Sequence, residues 1–208
     1  MAEHNRGKKF PTDPPTREEM ALLFAACGST PRGKRDQVLL MMMYRLGFRC
    51  AEACSVRWPQ DVRRRNGGWT IRTVHPKGWD PKPDKTGKVR RPAKPRELAL
   101  DPKAQFLLET WLAVRGDATG PLLVTETGRA VETSHARRLL KTLCRRAGID
   151  RRINPHSLRH AFASELVDEG NDVRRVQNLL GHNYLMTTIT YVDHLQPRLG
   201  EVTSGRTW

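Results

Sequence analysis

Apolar residues recur at helical spacing over most of this chain, and one short stretch near the middle alternates instead. In "TREEMALLFAACG", Met20, Leu23 and Phe24 share a face. Thr16 with Glu19 three residues on spells a capping box, and Gly28 stops the helix. A second helix is expected from about Lys34 to Leu46, where "VLLMMMY" is apolar all round, ending at Gly47. A Met-rich run of this kind reads as core rather than as a ligand box. "CAEACSV" predicts a short third helix before Pro59. Further on, Asp101 caps and Pro102 opens a helix with Leu107, Leu108, Trp111 and Leu112 inside, closed by Gly116. "TSHARRLLKTLCRRAG" places Leu139, Leu140 and Leu143 on one face and five Lys/Arg outside. "NPHSLRHAF" begins the next helix, which ends at Gly170, and "DVRRVQNLLG" forms a short one stopped by Gly181. "TTITYVDH" is a last helical or extended piece.

The alternating stretch is "GWTIRTV", a strand, with "RELAL" as its partner. Between them lies a long Pro- and Lys-rich loop. "GPLLVTETG" is too short for a helix and reads as a loop with a small strand. There is no internal repeat. The fold class expected is mainly α with a small antiparallel β-sheet (α+β). Residues 1–15 are polar and proline-bearing and are expected to form a mobile arm.

Composition sharpens this picture in two places. The 208 residues hold 37 Lys/Arg against 22 Asp/Glu, a formal charge of +15, which favours a polyanionic partner and most simply nucleic acid. The excess concentrates in residues 62–103, with thirteen Lys/Arg against four Asp/Glu, so the hairpin tip is a candidate probe of a DNA groove. No apolar run is long enough for a membrane span, and the N-terminus lacks the apolar core of a signal peptide, so a cytoplasmic protein is expected. Cys27, Cys50, Cys54 and Cys144 include no C-x-x-C pair and read as reduced and buried.

Three segments carry candidate chemistry. "LGFRCAEACSVRW" puts Arg49 just after a helix-ending glycine. "NPHSLRHAF" would place His156, Arg159 and His160 on one side of a helix. "LLGHNYLMTTITYVDH" contains His182 and, nine residues on, Tyr191. His156 and His160 are spaced for a zinc ion. However, Ser157 stands where a zinc protease carries its glutamate, and Arg159 beside the pair repels a cation. A phosphodiester fits the set better. Arginine forks match two non-bridging oxygens. A histidine moves a proton. A tyrosine attacks phosphorus and holds the strand as a phosphotyrosine. The arginines supply the charge that a metal would otherwise bring, so no cofactor is required.

On these residues the chain resembles the catalytic domain of the tyrosine recombinase (phage integrase, Xer-like) family. "GFRCAE" resembles the family's G-L-R-x-x-E, "PHSLRHAFASEL" its P-H-x-L-R-H-x-F-A-x-x-L, and "VQNLLGH" its helix-ending L-G-H. Phe48 and Ala53 depart from the first of these patterns. The resemblance covers roughly residues 16–194 and implies that family's catalytic-domain fold. It implies that Tyr191 attacks the scissile phosphate and stays linked to the DNA 3′ end, while Arg49 and Arg159 hold the non-bridging oxygens. His182 supports the same charge, His156 assists proton transfer, and Glu52 buttresses Arg49, with His160 in a supporting place. A hairpin lysine protonates the leaving 5′ oxygen. "DKTGKVRR" resembles K-T-x-x-x-R and points to Lys85, with Lys77 as the alternative.

Backbone phosphate contacts are expected from Lys77, Lys88, Arg90, Arg91, Arg137, Arg138 and Lys141. The implied partner is double-stranded DNA, bound by a homotetramer on two sites, with a monomer expected without DNA. Single cuts by alternate subunits would pass through a Holliday junction. Residues 195–208 are a candidate docking segment for a neighbouring subunit. Relatives commonly carry a helical domain before the catalytic one, so the chain is either a minimal recombinase or a catalytic fragment, with weak, salt-sensitive DNA binding in both cases. Two other readings stay open: a type IB topoisomerase, and a DNA-binding module with a decayed site.

Overall fold

Helix α2 (Pro31–Tyr44) runs through the centre of the molecule. Val38, Leu39, Leu40, Met41, Met42 and Met43 are all fully buried. A helix that is apolar all round needs partners all round. Four others pack on it: α1 (Arg17–Cys27), α3 (Cys50–Ser55), α4 (Pro102–Arg115) and α6 (Pro155–Asp168). Helix α5 (Thr133–Arg146) joins through α1, α3 and α6, and α7 (Val173–Leu180) packs on α6. The computed structural model describes residues 13–65, 67–73 and 95–180. Among the described residues no helix is long and apolar enough to cross a membrane.

The helices expected within the described residues form, and their starts follow local chemistry; "TTITYVDH" lies outside the described residues. Thr16 and Glu19 make the capping box of α1. Asp101 Oδ1 accepts from the backbone N–H groups of Lys103 and Ala104 at the start of α4. Asn154 does the same for His156 and Ser157 at the start of α6. Helix α2 starts three residues before the expected Lys34, because Thr30 caps Gly33 N–H and Pro31 occupies the first position. Before α1, the carbonyls of Asp13 and Pro14 accept from the Arg151 guanidinium, which also pairs with Glu19.

The sheets are antiparallel. Strand β1 (Arg57–Trp58) pairs with β5 (Gly120–Pro121). Strand β3 (Gly68–Arg72) lies between β2 (Val62–Arg65) and β4 (Glu97–Ala99), with Ile71 opposite both Val62 and Leu98. The β3–β4 pair is the expected one. Strand β2 was not expected, because three consecutive arginines hide its alternation; only Val62 turns inward. Trp69 anchors the sheet to α4 by donating its indole N–H to Glu109 at 2.8 Å.

Candidate active site

Gly47 sets the geometry at the end of α2. Its φ is +61°, and a Cβ there would meet Phe162 Cδ1 at 2.4 Å and Leu180 Cδ2 at 3.1 Å. Only glycine allows the turn while α6 and α7 close over it. The turn delivers Arg49 to the cap position of α3, where Glu52 takes its backbone N–H on Oε2 (2.7 Å) and its Nη1 on Oε1 (2.8 Å). Glu52 is buried, and Arg49 reaches solvent.

Two further arginines converge on that carboxylate. Arg159, 1% exposed on α6, brings Nη1 to 3.7 Å from Oε2. Its guanidinium donates to the carbonyls of Gly47 and Leu180. Arg96, at the entry to β4, donates Nη2 to Oε2 at 3.1 Å and Nη1 to the Leu179 carbonyl. Helix α7 thus ends with two of its last carbonyls on guanidinium groups, which satisfies orphan acceptors and opposes the negative end of the helix dipole. Burial pulls the Arg96 pKa down, while Glu52 acts against that.

This centre forms one wall of a cleft of about 1170 Å³ between α3, α5 and the start of α6. Arg49, Arg137, Lys141, Arg145, Arg151, Arg152 and Arg159 line it, against a single acid, Asp150. His156 stands at its rim. Burial against the cleft walls, then Arg159 and Arg49, hold its pKa below the ordinary 6.5, so the ring is neutral near pH 7 and can accept a proton.

His156, Arg159 and His160 fall on one stripe of α6, with His160 expected only in a supporting place. Depth divides the stripe: four residues advance a helix by about 6 Å. His156 is exposed in the first turn, while His160, one turn further in, is 1% exposed and lies within the core. The cysteines are corrected in part. All four are free thiols, but Cys50 and Cys54 are only partly buried, and Cys50 lines the cleft. A hydrogen bond from Cys54 lowers the Cys50 pKa.

Of the expected phosphate-binding residues, Arg137 and Lys141 line the cleft; Arg138 is exposed on the same helix. Lys77, Lys85, Lys88, Arg90, Arg91, His182, Tyr191 and residues 195–208 lie outside the described residues. Sequence reasoning missed Arg96, Arg145 and Arg152. Arg145 follows Lys141 by one helical turn, a signal that was legible. Arg96 is one of thirteen basic residues in its stretch, and nothing in the sequence marks it as the buried one. Among the described residues no cluster of three or more His, Cys, Asp or Glu is placed to hold a metal ion.

Residues 16–198 match the model of the phage integrase family. Tyrosine recombinase XerA of Thermococcus kodakarensis is 33% identical over 205 residues, covering 94% of this chain and 65% of that protein. Tyrosine recombinase XerC of Chromohalobacter salexigens is 34% identical over 167 residues, covering 78% and 49%. The chain therefore spans about half to two thirds of the length of the curated relatives it matches. Among solved structures, the XerH recombinase in a pre-cleavage complex with its difH substrate superposes with a TM-score of 0.68 at 26% identity, over 95% of this chain and 55% of that one. A XerA recombinase crystal structure gives a TM-score of 0.74 at 23% identity, over 97% and 66%. Two of the segments that line the cleft, around Arg49 and around His156 and Arg159, carry the family pattern, and with this match the chain belongs to the phage integrase family.

Proposed function

We propose that this chain is the catalytic domain of a site-specific DNA recombinase that cleaves and rejoins strands through a 3′-phosphotyrosyl intermediate. One observation carries the reading: Arg49, Arg96 and Arg159 share the single carboxylate of Glu52 beside a basic cleft. A phosphodiester brings one negative charge, and attack on phosphorus adds another. Guanidinium groups gathered at the wall of a basic cleft suit that transition state. Arg49 and Arg159, which both line the cleft, hold the non-bridging oxygens. His156 takes the proton of Tyr191, and His182 supports the phosphoryl oxygens. Lys85, with Lys77 as the alternative, protonates the 5′ leaving oxygen.

Double-stranded DNA is the substrate, held along its backbone by Arg137, Arg138 and Lys141, with the hairpin residues Lys88, Arg90 and Arg91 continuing the track. The XerH structures, named for complexes before and after cleavage of difH, support DNA as the partner. Names of the Xer type favour recombination over topoisomerase-like relaxation. On two sites the protein works as a homotetramer, and its place of action is the cytoplasm, at the nucleoid. The test is a set of nicked duplexes tiled from the DNA flanking the gene. Wild type forms a covalent adduct that survives SDS, and Tyr191→Phe forms none. An adduct with Tyr191→Phe rules out the nucleophile, and no adduct with wild type on any duplex rules out the activity.

A further inference from the structure

Arg96 is the residue of this centre that the family pattern quoted above leaves without a role. Its surroundings are specific. Its backbone closes the base of the hairpin: Thr73 N–H donates to Arg96 O at 2.7 Å, and Arg96 N–H donates to Thr73 Oγ1 at 2.8 Å. Its side chain, 9% exposed, leaves the sheet, donates to Glu52 Oε2 and reaches the Leu179 carbonyl at the end of α7. One guanidinium therefore joins three segments: the hairpin base, the helix that presents Arg49, and the helix that leads to His182.

The arrangement is poor as mere packing. Burial disfavours the charged side chain, and Nε lies buried with no acceptor among the described residues. Glu52 already holds two arginines, so a third adds repulsion from Arg49. A buried cation kept under those conditions costs stability and needs another reason to be there.

Geometry supplies that reason. Oε2 takes the Arg49 backbone N–H at 2.7 Å and Arg96 Nη2 at 3.1 Å, while Oε1 takes Arg49 Nη1 at 2.8 Å. Both Arg49 donors belong to the residue being positioned and move with it, so a carboxylate held by them alone could still turn about its terminal torsion, which is broad and roughly two-fold. Arg96 adds a donor anchored in a different segment, the hairpin base, which fixes the carboxylate from outside α3. We propose that Arg96 is a positioning residue for strand cleavage: it locks the Glu52 carboxylate so that Arg49 is held ready for the scissile phosphate, and it ties the hairpin base to the end of α7. This rests on the recombinase reading for its consequence, not for its geometry.

The experiment uses the full chain with Arg96→Ala, Arg96→Lys, Glu52→Gln and the Arg96→Ala/Glu52→Gln double variant, each checked for cooperative thermal unfolding. At saturating nicked duplex, Arg96→Ala slows single-turnover adduct formation on the order of 10²-fold, the scale of a misplaced catalytic group. Its duplex affinity changes by less than about 3-fold, because the side chain is buried and turned toward Glu52 and the Leu179 carbonyl. Arg96→Lys, which keeps the charge and one donor, recovers part of the rate and covers the case in which the alanine variant does not fold. In the double variant the two losses do not multiply. Wild-type cleavage by a folded Arg96→Ala, or losses that multiply, overturns the proposal. Guanidinium NMR of Arg49 decides the geometry without DNA. Nη rotation is slow in wild type and fast in Arg96→Ala; equal rotation in both overturns the lock. Should wild type cleave nothing, the recombinase reading fails while this readout still judges Arg96.

Discussion

Two buried ionic centres stand near the two ends of α2, and they are built on opposite principles. Between α2 and α5, Asp36 Oδ1 accepts Arg35 Nε at 2.9 Å and Nη2 at 2.6 Å, and His135 Nε2 lies 3.6 Å away. Arg35 also donates to the Val124 carbonyl, so the centre links two helices and a loop. With His135 neutral, one cation meets one anion and the account closes. At Glu52 three guanidinium groups meet one carboxylate beside an open basic cleft, an excess of cations among the described residues. A protein gains nothing in stability from such an excess, since buried like charges repel. Closed centres hold the fold; the open one waits for an anion.

The sharpest way to break this contrast is to delete each acid. Asp36→Ala leaves Arg35 buried and unpaired and should cost about 3–5 kcal/mol of unfolding free energy, read by urea titration. The folded fraction of Asp36→Ala should still form adduct. Glu52→Ala should destabilise too, and its folded fraction should form none. Equal effects on cleavage from both variants would erase the distinction.

Next in size is the response to pH. His135 is held below the ordinary 6.5 mainly by burial, then by Arg35; His156 is lowered mainly by burial, then by Arg159 and Arg49. In both cases the unfolded chain takes up the proton first as pH falls. Their contribution to stability is therefore complete above the unfolded value of 6.5 and is lost as pH drops through it toward the lower folded values. The His135→Gln variant should flatten part of the stability profile and leave the cleavage profile unchanged. His156→Gln should flatten the acid side of the cleavage profile, the direction in which burial, Arg159 and Arg49 move the His156 pKa. The smallest effect is expected at the outer cleft wall. Arg137→Ala and Lys141→Ala should each weaken duplex binding on every sequence alike, and each should reduce the salt slope by about 1.

Much of this was legible in the chain. The starts of α1, α4 and α6 are written as Thr16 with Glu19, Asp101 with Pro102, and Asn154 with Pro155, because capping is a local interaction. The convergence of Arg49, Glu52 and Arg159 was legible only through the family resemblance, since 110 residues separate the two arginines in sequence and no local rule brings them together. Depth was not legible. The spacing of His156 and His160 gives a common face but not how far along it the core begins. Arg96 was invisible for a related reason: arginine in a basic stretch reads as solvated, and its burial follows from where α3 and α7 pack. Strand β2 was hidden by Arg63, Arg64 and Arg65, whose exposed positions carry no apolar alternation.

The central claim is that the excess charge at Glu52 exists for a phosphate and not for the fold. Arg49→Ala tests it most directly, with adduct formation on one nicked duplex and thermal unfolding measured on the same preparation. The account predicts a melting temperature at or above wild type, because one repelling cation is gone, together with cleavage slowed about 10²–10³-fold, the usual effect of removing a transition-state donor. Cleavage at the wild-type rate, or a loss that appears only because the variant unfolds, would contradict it.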